Sequence, residues 1–150
     1  MSVFLWHKSF EIGIEQFDED HKHLVDLLNK TFENFTAGAN HEFLEPVLDE
    51  LVDYATYHFA AEERWMKEHG FTGLQKHREE HEKFRLRIVE IQKEYHSREV
   101  NLTREVLNFL NNWLFDHILR TDAEFARFAV WYLTHTTTTN LKCEQQIELN

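Results

Sequence analysis

Cysteine is nearly missing from this chain: Cys143 is the single one in 150 residues, so neither an intrachain disulfide nor a thiolate-based metal site can form. Proline occurs once and glycine four times, which removes the usual helix breakers and favours long helices joined by short turns. Basic residues are outnumbered, 16 Lys and Arg against 27 Asp and Glu, for a formal net charge of -11. That balance, with no Lys/Arg run, argues against nucleic acid and an anionic membrane surface as partners. No uncharged stretch of eighteen residues exists, and Met1 to Phe10 lacks the apolar run and cleavage site of a signal peptide. A soluble protein of the reducing cytoplasm is expected, with no membrane insertion.

What the chain does have is apolar residues, 42% of the total with 13 Phe, enough for one domain with a substantial core over 1–150. Their spacing predicts an all-α, antiparallel up-down-up-down four-helix bundle, with helices at about 18–37, 42–69, 73–96 and 102–133. Asp18 is the expected cap of the first helix, on which Leu24, Val25, Leu28, Phe32 and Phe35 form one face. In the second, Leu44, Leu48, Leu51, Ala55, His58, Glu62 and Trp65 step by fours and threes, and Pro46 is expected within the first turn. Leu74, His77, His81, Phe84, Ile88, Ile91 and Tyr95 form the third seam, and Val106, Leu110, Trp113 and His117 the fourth, which resumes at Asp122, Phe125 and Ala129. The aperiodic arm 1–17 is expected over the bundle ends, and 134–150, with its four threonines, as an irregular tail.

Seven polar groups occupy positions where leucines belong: His21, His58, Glu62, His77, His81, His117 and Asp122. One His/Glu pair four apart is most often a solvated helix face. Seven on the seams of four helices are different, because each unpaired buried carboxylate or imidazole costs several kcal/mol, and a domain has only about 5–15 kcal/mol of net stability. Imidazoles with a few carboxylates are the donor set of iron, zinc or manganese. One irregularity needs a device: His117 and Asp122 are five apart, which on a regular helix separates them by roughly 140°. A π-type bulge near Leu119 to Asp122 would bring both inward. His7, His23, His41, His69, His96 and His135 fall outside the pattern and are expected to face solvent.

Two six-coordinate metals offer about twelve positions. Five histidines, two bridging carboxylates and one solvent-derived bridge fill eleven, leaving one open site for a small ligand. Around it the sequence places Phe59, Trp113, Leu114 and Ile118, bulky and without a proton donor. Di-metal oxidases of this bundle class use more glutamates, so reversible binding is favoured over oxidation of a substrate.

From Trp6 to Tyr132 the chain resembles the hemerythrin family, specifically its single-domain bacterial members. The likeness rests on Gly13-Ile14 with Asp18-x-x-His21, on His58-Phe59-x-x-Glu62-Glu63, on His77-x-x-x-His81 and on His117-Ile118-x-x-x-Asp122. The resemblance implies two iron ions joined by an oxo or hydroxo bridge, with His77, His81 and His117 on the coordinatively full iron, His21 and His58 on the open one, and Glu62 and Asp122 bridging. It implies dioxygen as the ligand, held in an apolar pocket of Phe59, Trp113, Leu114 and Ile118, and a protein of oxygen storage, transport or delivery rather than an enzyme. Two alternatives remain: a di-iron redox enzyme or scavenger acting on nitric oxide, peroxide or oxygen, and a sensor signalling to a partner. A monomer is expected, serving an oxygen-consuming or redox partner protein.

Overall fold

The computed structural model describes the backbone of residues 6–97 and 104–147, with side chains as far as Thr136 apart from residue 105. Among the described residues there are five α-helices: α1 (Glu15–Thr36), α2 (His41–Glu68), α3 (Leu74–His96), α4 (Arg104–Asp116) and α5 (Asp122–Ile147). A π-helical turn, His117–Thr121, joins α4 to α5 without a break, so the two make one long fourth helix. The bundle therefore has four helical rods, and no strand occurs among the described residues.

Local signals explain the turns. The Asn40 side chain accepts the Phe43 N–H at 3.0 Å and caps α2. Gly38 and Gly70 follow the ends of α1 and α2 with φ of +78° and +72°, a conformation that a Cβ disfavours. The described part of the arm contains a short 3-10 turn, Lys8–Phe10. It lies alongside the bundle rather than over its ends: Trp6 meets Lys22 of α1, Phe10 packs edge-on against Phe115 at 5.0 Å, and Gly13 sits beside Val130.

Other expectations are corrected as well. Helix α1 begins at Glu15, not near Asp18, because Ile14 and Phe17 extend the apolar face. Asp18 instead accepts the arm's N–H groups, Ile12 at 2.6 Å and Gly13 at 3.3 Å. Pro46 is the sixth residue of α2, in its second turn. It is exposed there, on the surface of the helix. The expected irregular tail is helical as far as Ile147. No Gly or Pro follows Gly73, and the Thr134 and Thr136 hydroxyls bond back to the Val130 and Tyr132 carbonyls. The third helix ends at His96, with Ser97 as its C-cap, where the sequence places its exit; the expected entry to the fourth helix after Asn101 lies outside the described residues.

The core divides in two. A larger cluster runs from Leu24, Leu28 and Leu48 to Phe59, Phe84, Leu114 and Ile118. A smaller one joins Ile12, Phe17, Ala61, Met66, Phe125 and Ala129. Along each helix the seven polar residues fall between the members of these clusters, so an ionisable layer is clamped between two apolar ones.

Candidate metal centre

All seven side chains that the spacing singles out converge in that layer, and none is more than 3% exposed. Each histidine turns its Nε2 inward, and the carboxylates sort them into two groups. Glu62 Oε1 lies 3.3 Å from His21 and 2.9 Å from His58, while Oε2 lies 3.4 Å from both His77 and His81. Asp122 Oδ2 lies 3.2 Å from His21, while Oδ1 lies 3.0 Å from His77 and 3.1 Å from His117. Each carboxylate thus gives one oxygen to the pair His21/His58 and the other to the triplet His77/His81/His117. Donor atoms of Glu62, Asp122 and either histidine group lie within 4.8 Å of one another.

The π turn makes this possible. It covers His117–Thr121, and the extra residue absorbed there brings Asp122 onto the face of His117 despite their spacing of five.

Electrostatics and hydrogen bonding fit a cation. Buried polar atoms ordinarily find hydrogen-bond partners, yet His58 Nε2, His77 Nε2, Glu62 Oε2 and both Asp122 oxygens have none. Without metal, the carboxylates retain protons on the ring nitrogens. Burial opposes charge on His21, but the facing carboxylates of Asp122 and Glu62 raise it to about 10, and the same balance raises His77 to about 9. Glu62 is held well below the usual carboxylate range; burial pushes it up, and the His58 charge with hydrogen bonds from the surrounding imidazoles outweighs that.

Around this layer stand groups that spacing alone did not reveal. Asp20, buried, meets His58 Nδ1 at 3.0 Å and accepts the Tyr54 hydroxyl at 2.7 Å. Glu80 Oε2 lies 3.4 Å from His117 Nδ1 and accepts the Thr121 hydroxyl at 2.6 Å, and Glu63 lies 3.7 Å from His81 Nδ1. A signal existed for the first of these: Tyr54 and His58, four apart on α2, share a face that Asp20 reaches from α1.

The four expected pocket residues have different surroundings. Phe59 stacks on His81 at 4.1 Å and Trp113 on His117 at 4.5 Å, so both cover the triplet side. Leu114 lines an apolar cavity of about 20 Å³ with Leu24, Leu28, Ala55 and Phe84, one helical turn beyond the polar layer. Ile118 is buried in the larger core. Among the other histidines, His7 and His135 are exposed as expected. His23 is half-exposed, and His69 is partly covered where it stacks on Trp65 at 3.7 Å. His41 departs from expectation: it belongs to α2, is only 17% exposed and stacks on Tyr95 at 4.0 Å. His96, although half-exposed, is engaged by Glu45 and Asp49.

A four-helix bundle whose helices converge five imidazoles and two carboxylates in a buried layer defines a metal-binding bundle protein. The profile of the family described as "Hemerythrin HHE cation binding domain" matches residues 12–129, and the chain belongs to the hemerythrin family. It is 32% identical over 125 residues to a bacteriohemerythrin of Pseudomonas aeruginosa, covering 83% of this chain and 80% of that protein. The bacteriohemerythrin of Clostridium acetobutylicum is 30% identical, with 82% and 98% covered. A crystal structure of wild-type hemerythrin aligns with a TM-score of 0.78 at 28% identity, covering 83% of this chain and 96% of that one.

Proposed function

We propose that this chain binds dioxygen reversibly at a non-haem di-iron centre, for oxygen storage, transport or intracellular delivery. The observation that carries the reading is the division of five Nε2 atoms into two and three by the opposite oxygens of Glu62 and Asp122. Two foci sharing two carboxylates suit two cations, and the focus with fewer imidazoles is the one left with room for a ligand. His21 and His58 would hold that iron, His77, His81 and His117 the other, with Glu62 and Asp122 joining them. Bound ferrous iron would supply the electrons and the open position that dioxygen requires.

The protein's part is to hold and to exclude. Asp20 fixes the His58 ring through Nδ1, leaving Nε2 to point inward. Phe59 and Trp113 cover His81 and His117, and Leu114 and Ile118 close the apolar side. These apolar contacts shield the site on the sides they cover, which favours release of the ligand unchanged over its reduction. Five neutral imidazoles against two carboxylates also leave little negative charge to support highly oxidised iron.

The test is to load the protein anaerobically with ferrous iron, add oxygen, remove it, and follow the visible spectrum with metal analysis alongside. A charge-transfer band that appears and then disappears with full recovery is the expected result. Immediate irreversible conversion to a ferric product would overturn carriage in favour of redox turnover.

A further inference from the structure

Two apolar clusters clamp the buried layer from either end of the bundle, and its seven polar side chains are at most 3% exposed. A hydrated divalent cation cannot cross such clusters, because it would shed its water with no polar group to replace it. It must come from the side. A cleft of about 440 Å³ between α3 and the fourth helix meets the layer there. Its lining includes the nearly buried His77 and His117, the half-buried Glu80 and Trp113, and the exposed Asp116 and Glu124.

The His117 ring divides this cleft from the layer. On the inner side its Nε2 lies 3.1 Å from Asp122 Oδ1; on the outer side its Nδ1 lies 3.4 Å from Glu80 Oε2, which also accepts the Thr121 hydroxyl at 2.6 Å. That Nδ1 is buried and has no hydrogen bond, a state in which buried polar atoms are rarely left. One imidazole thus stands between two carboxylates, Glu80 in the cleft and Asp122 in the layer. His117 also opens the π turn, where the regular helical ladder is already interrupted. Charge in the cleft favours a cation as well. Glu80, Asp116 and Glu124 face Lys76 and Arg120, and Arg120 is paired with Asp116 at 3.0 Å. Glu80 and Glu124 then outweigh Lys76, and a cleft with an excess of one sign concentrates the opposite ion.

We propose that this cleft is the passage by which divalent transition-metal ions enter and leave the buried layer, with Glu80 as the carboxylate that receives the ion and hands it inward to His77 and His117. Glu80 offers an oxygen in exchange for water part-way in, so the ion is never stripped without a replacement. Glu124, at the rim, adds attraction at longer range. Both lining histidines belong to the triplet, so the passage reaches the triplet first and the pair His21/His58 only beyond it. This role rests on the reading of the layer as a metal centre and not on oxygen binding. A group of the passage acts on the barrier, and so changes entry and exit by the same factor and leaves affinity where it was. A group that only orients His117 from outside lowers affinity and speeds release. The two roles are therefore separable by kinetics.

The experiment strips the full-length protein of metal, follows cobalt(II) uptake by visible absorbance and cobalt release into excess chelator, and reads the final content by metal analysis. Wild type is compared with Glu80→Gln, Glu124→Lys and Lys76→Glu. Glu90→Lys, an exposed position of α3 outside the cleft, is the control of equal charge change. Glu80→Gln and Glu124→Lys are expected to slow uptake and release alike, by about tenfold at low ionic strength, and Lys76→Glu to speed both. Glu90→Lys should leave both rates near those of the wild type, and added salt should narrow the differences at the two rim positions. Metal taken up in full at rates that the cleft variants share with the wild type would overturn the passage and leave the metal centre standing. Unchanged uptake with faster release in Glu80→Gln would do the same, making Glu80 an outer partner of His117 only. A wild type that takes up no cobalt would overturn the metal centre itself, and the passage with it. A gain in rate does not come from a damaged fold, so Lys76→Glu decides where another variant fails to fold.

Discussion

Asp20 Oδ2 stands 3.0 Å from Nδ1 of His58, on the side of the ring opposite the buried cluster, and its other oxygen accepts the Tyr54 hydroxyl. This couples a half-buried tyrosine on α2, through an α1 carboxylate, to one of the two histidines of the smaller group. Asp20 is held below its usual range: burial pushes it up, and hydrogen bonds from His58 and Tyr54 outweigh that. It is therefore a carboxylate acceptor at neutral pH and keeps the His58 hydrogen on Nδ1. Replacement by Asn weakens the acceptor while preserving shape. We expect Asp20→Asn to fold and to lose about 10–100-fold in metal affinity, the usual effect of removing an outer partner of a ligating histidine, with Tyr54→Phe in the same direction and smaller. Chelator competition measures both; unchanged affinity in Asp20→Asn would remove this carboxylate from any role at the centre.

The division of labour between Glu62 and Asp122 gives a second prediction. Each touches both histidine groups, so neither can serve one cation alone. Glu62→Gln and Asp122→Asn should each reduce tightly held metal from two ions per chain to one or none after a chelator wash. Both should also destabilise the metal-free protein by about 3–5 kcal/mol, because each leaves buried imidazolium charge without its partner. Metal analysis and denaturant melts read the two effects separately. Retention of two ions by either variant would contradict a shared carboxylate pair.

The π turn yields a third. Leu119, in the middle of the His117–Thr121 segment, is 45% exposed and contributes little to the core. Deleting it leaves His117 and the carboxylate of Asp122 four apart, the spacing at which a regular helix places both on one face. The flanking core residues Leu114 and Phe125 keep their registers. The shortened protein is expected to bind two metals still, with an unbroken α-helical ladder and a melting temperature at or above that of the parent. Insertion of an alanine at the same point should instead turn Asp122 away and abolish the centre. If the deletion lost the metals and the insertion kept them, the account of the turn as an absorbed extra residue would be wrong.

The buried polar layer was readable in the sequence because helical periodicity is strict where helices pack. A histidine at a seam position such as His58 or His81 has nowhere to point but inward, and the mismatch between His117 and Asp122 could be resolved only by a local change of pitch. What periodicity does not encode is contact between helices away from the seam. Asp20 precedes His21 by one residue and looks like first-turn acid, yet an extra turn of α1 before it places it in the body of the helix, within reach of Tyr54 and His58. Asp18 likewise looked like a cap and instead binds the arm. His41 and Tyr95, 54 positions apart, meet only because α2 and α3 are antiparallel, and no spacing rule brings them together. The threonine run was misjudged for a different reason: β-branching lowers helix propensity only weakly, and a helix already nucleated by the bundle continues through it.

The last prediction concerns pH. In the metal-free protein, the facing carboxylates of Asp122 and Glu62, as acceptors, override burial and raise His21 to about 10 and His77 to about 9. A histidine bound more tightly to its proton in the folded state than in the unfolded chain contributes stability that is complete below about pH 6.5 and is lost as pH climbs through the folded value. Glu62 and Asp122 act in the opposite sense. Their folded values lie well below the usual range, so their contribution is present above about pH 4 and disappears as pH falls. The metal-free protein should therefore melt highest between these limits and lose stability on the alkaline side between roughly pH 7 and 10. Metal takes the place of those protons, since only deprotonated imidazole coordinates, so the loaded protein should keep its melting temperature through the range where the metal-free form declines. Loading should also release protons, measurable with an indicator dye in weak buffer at pH 7. A metal-free protein whose melting temperature stayed level from pH 6.5 to 10, with no proton release on loading, would mean that the histidines of the buried layer are neutral before any metal arrives.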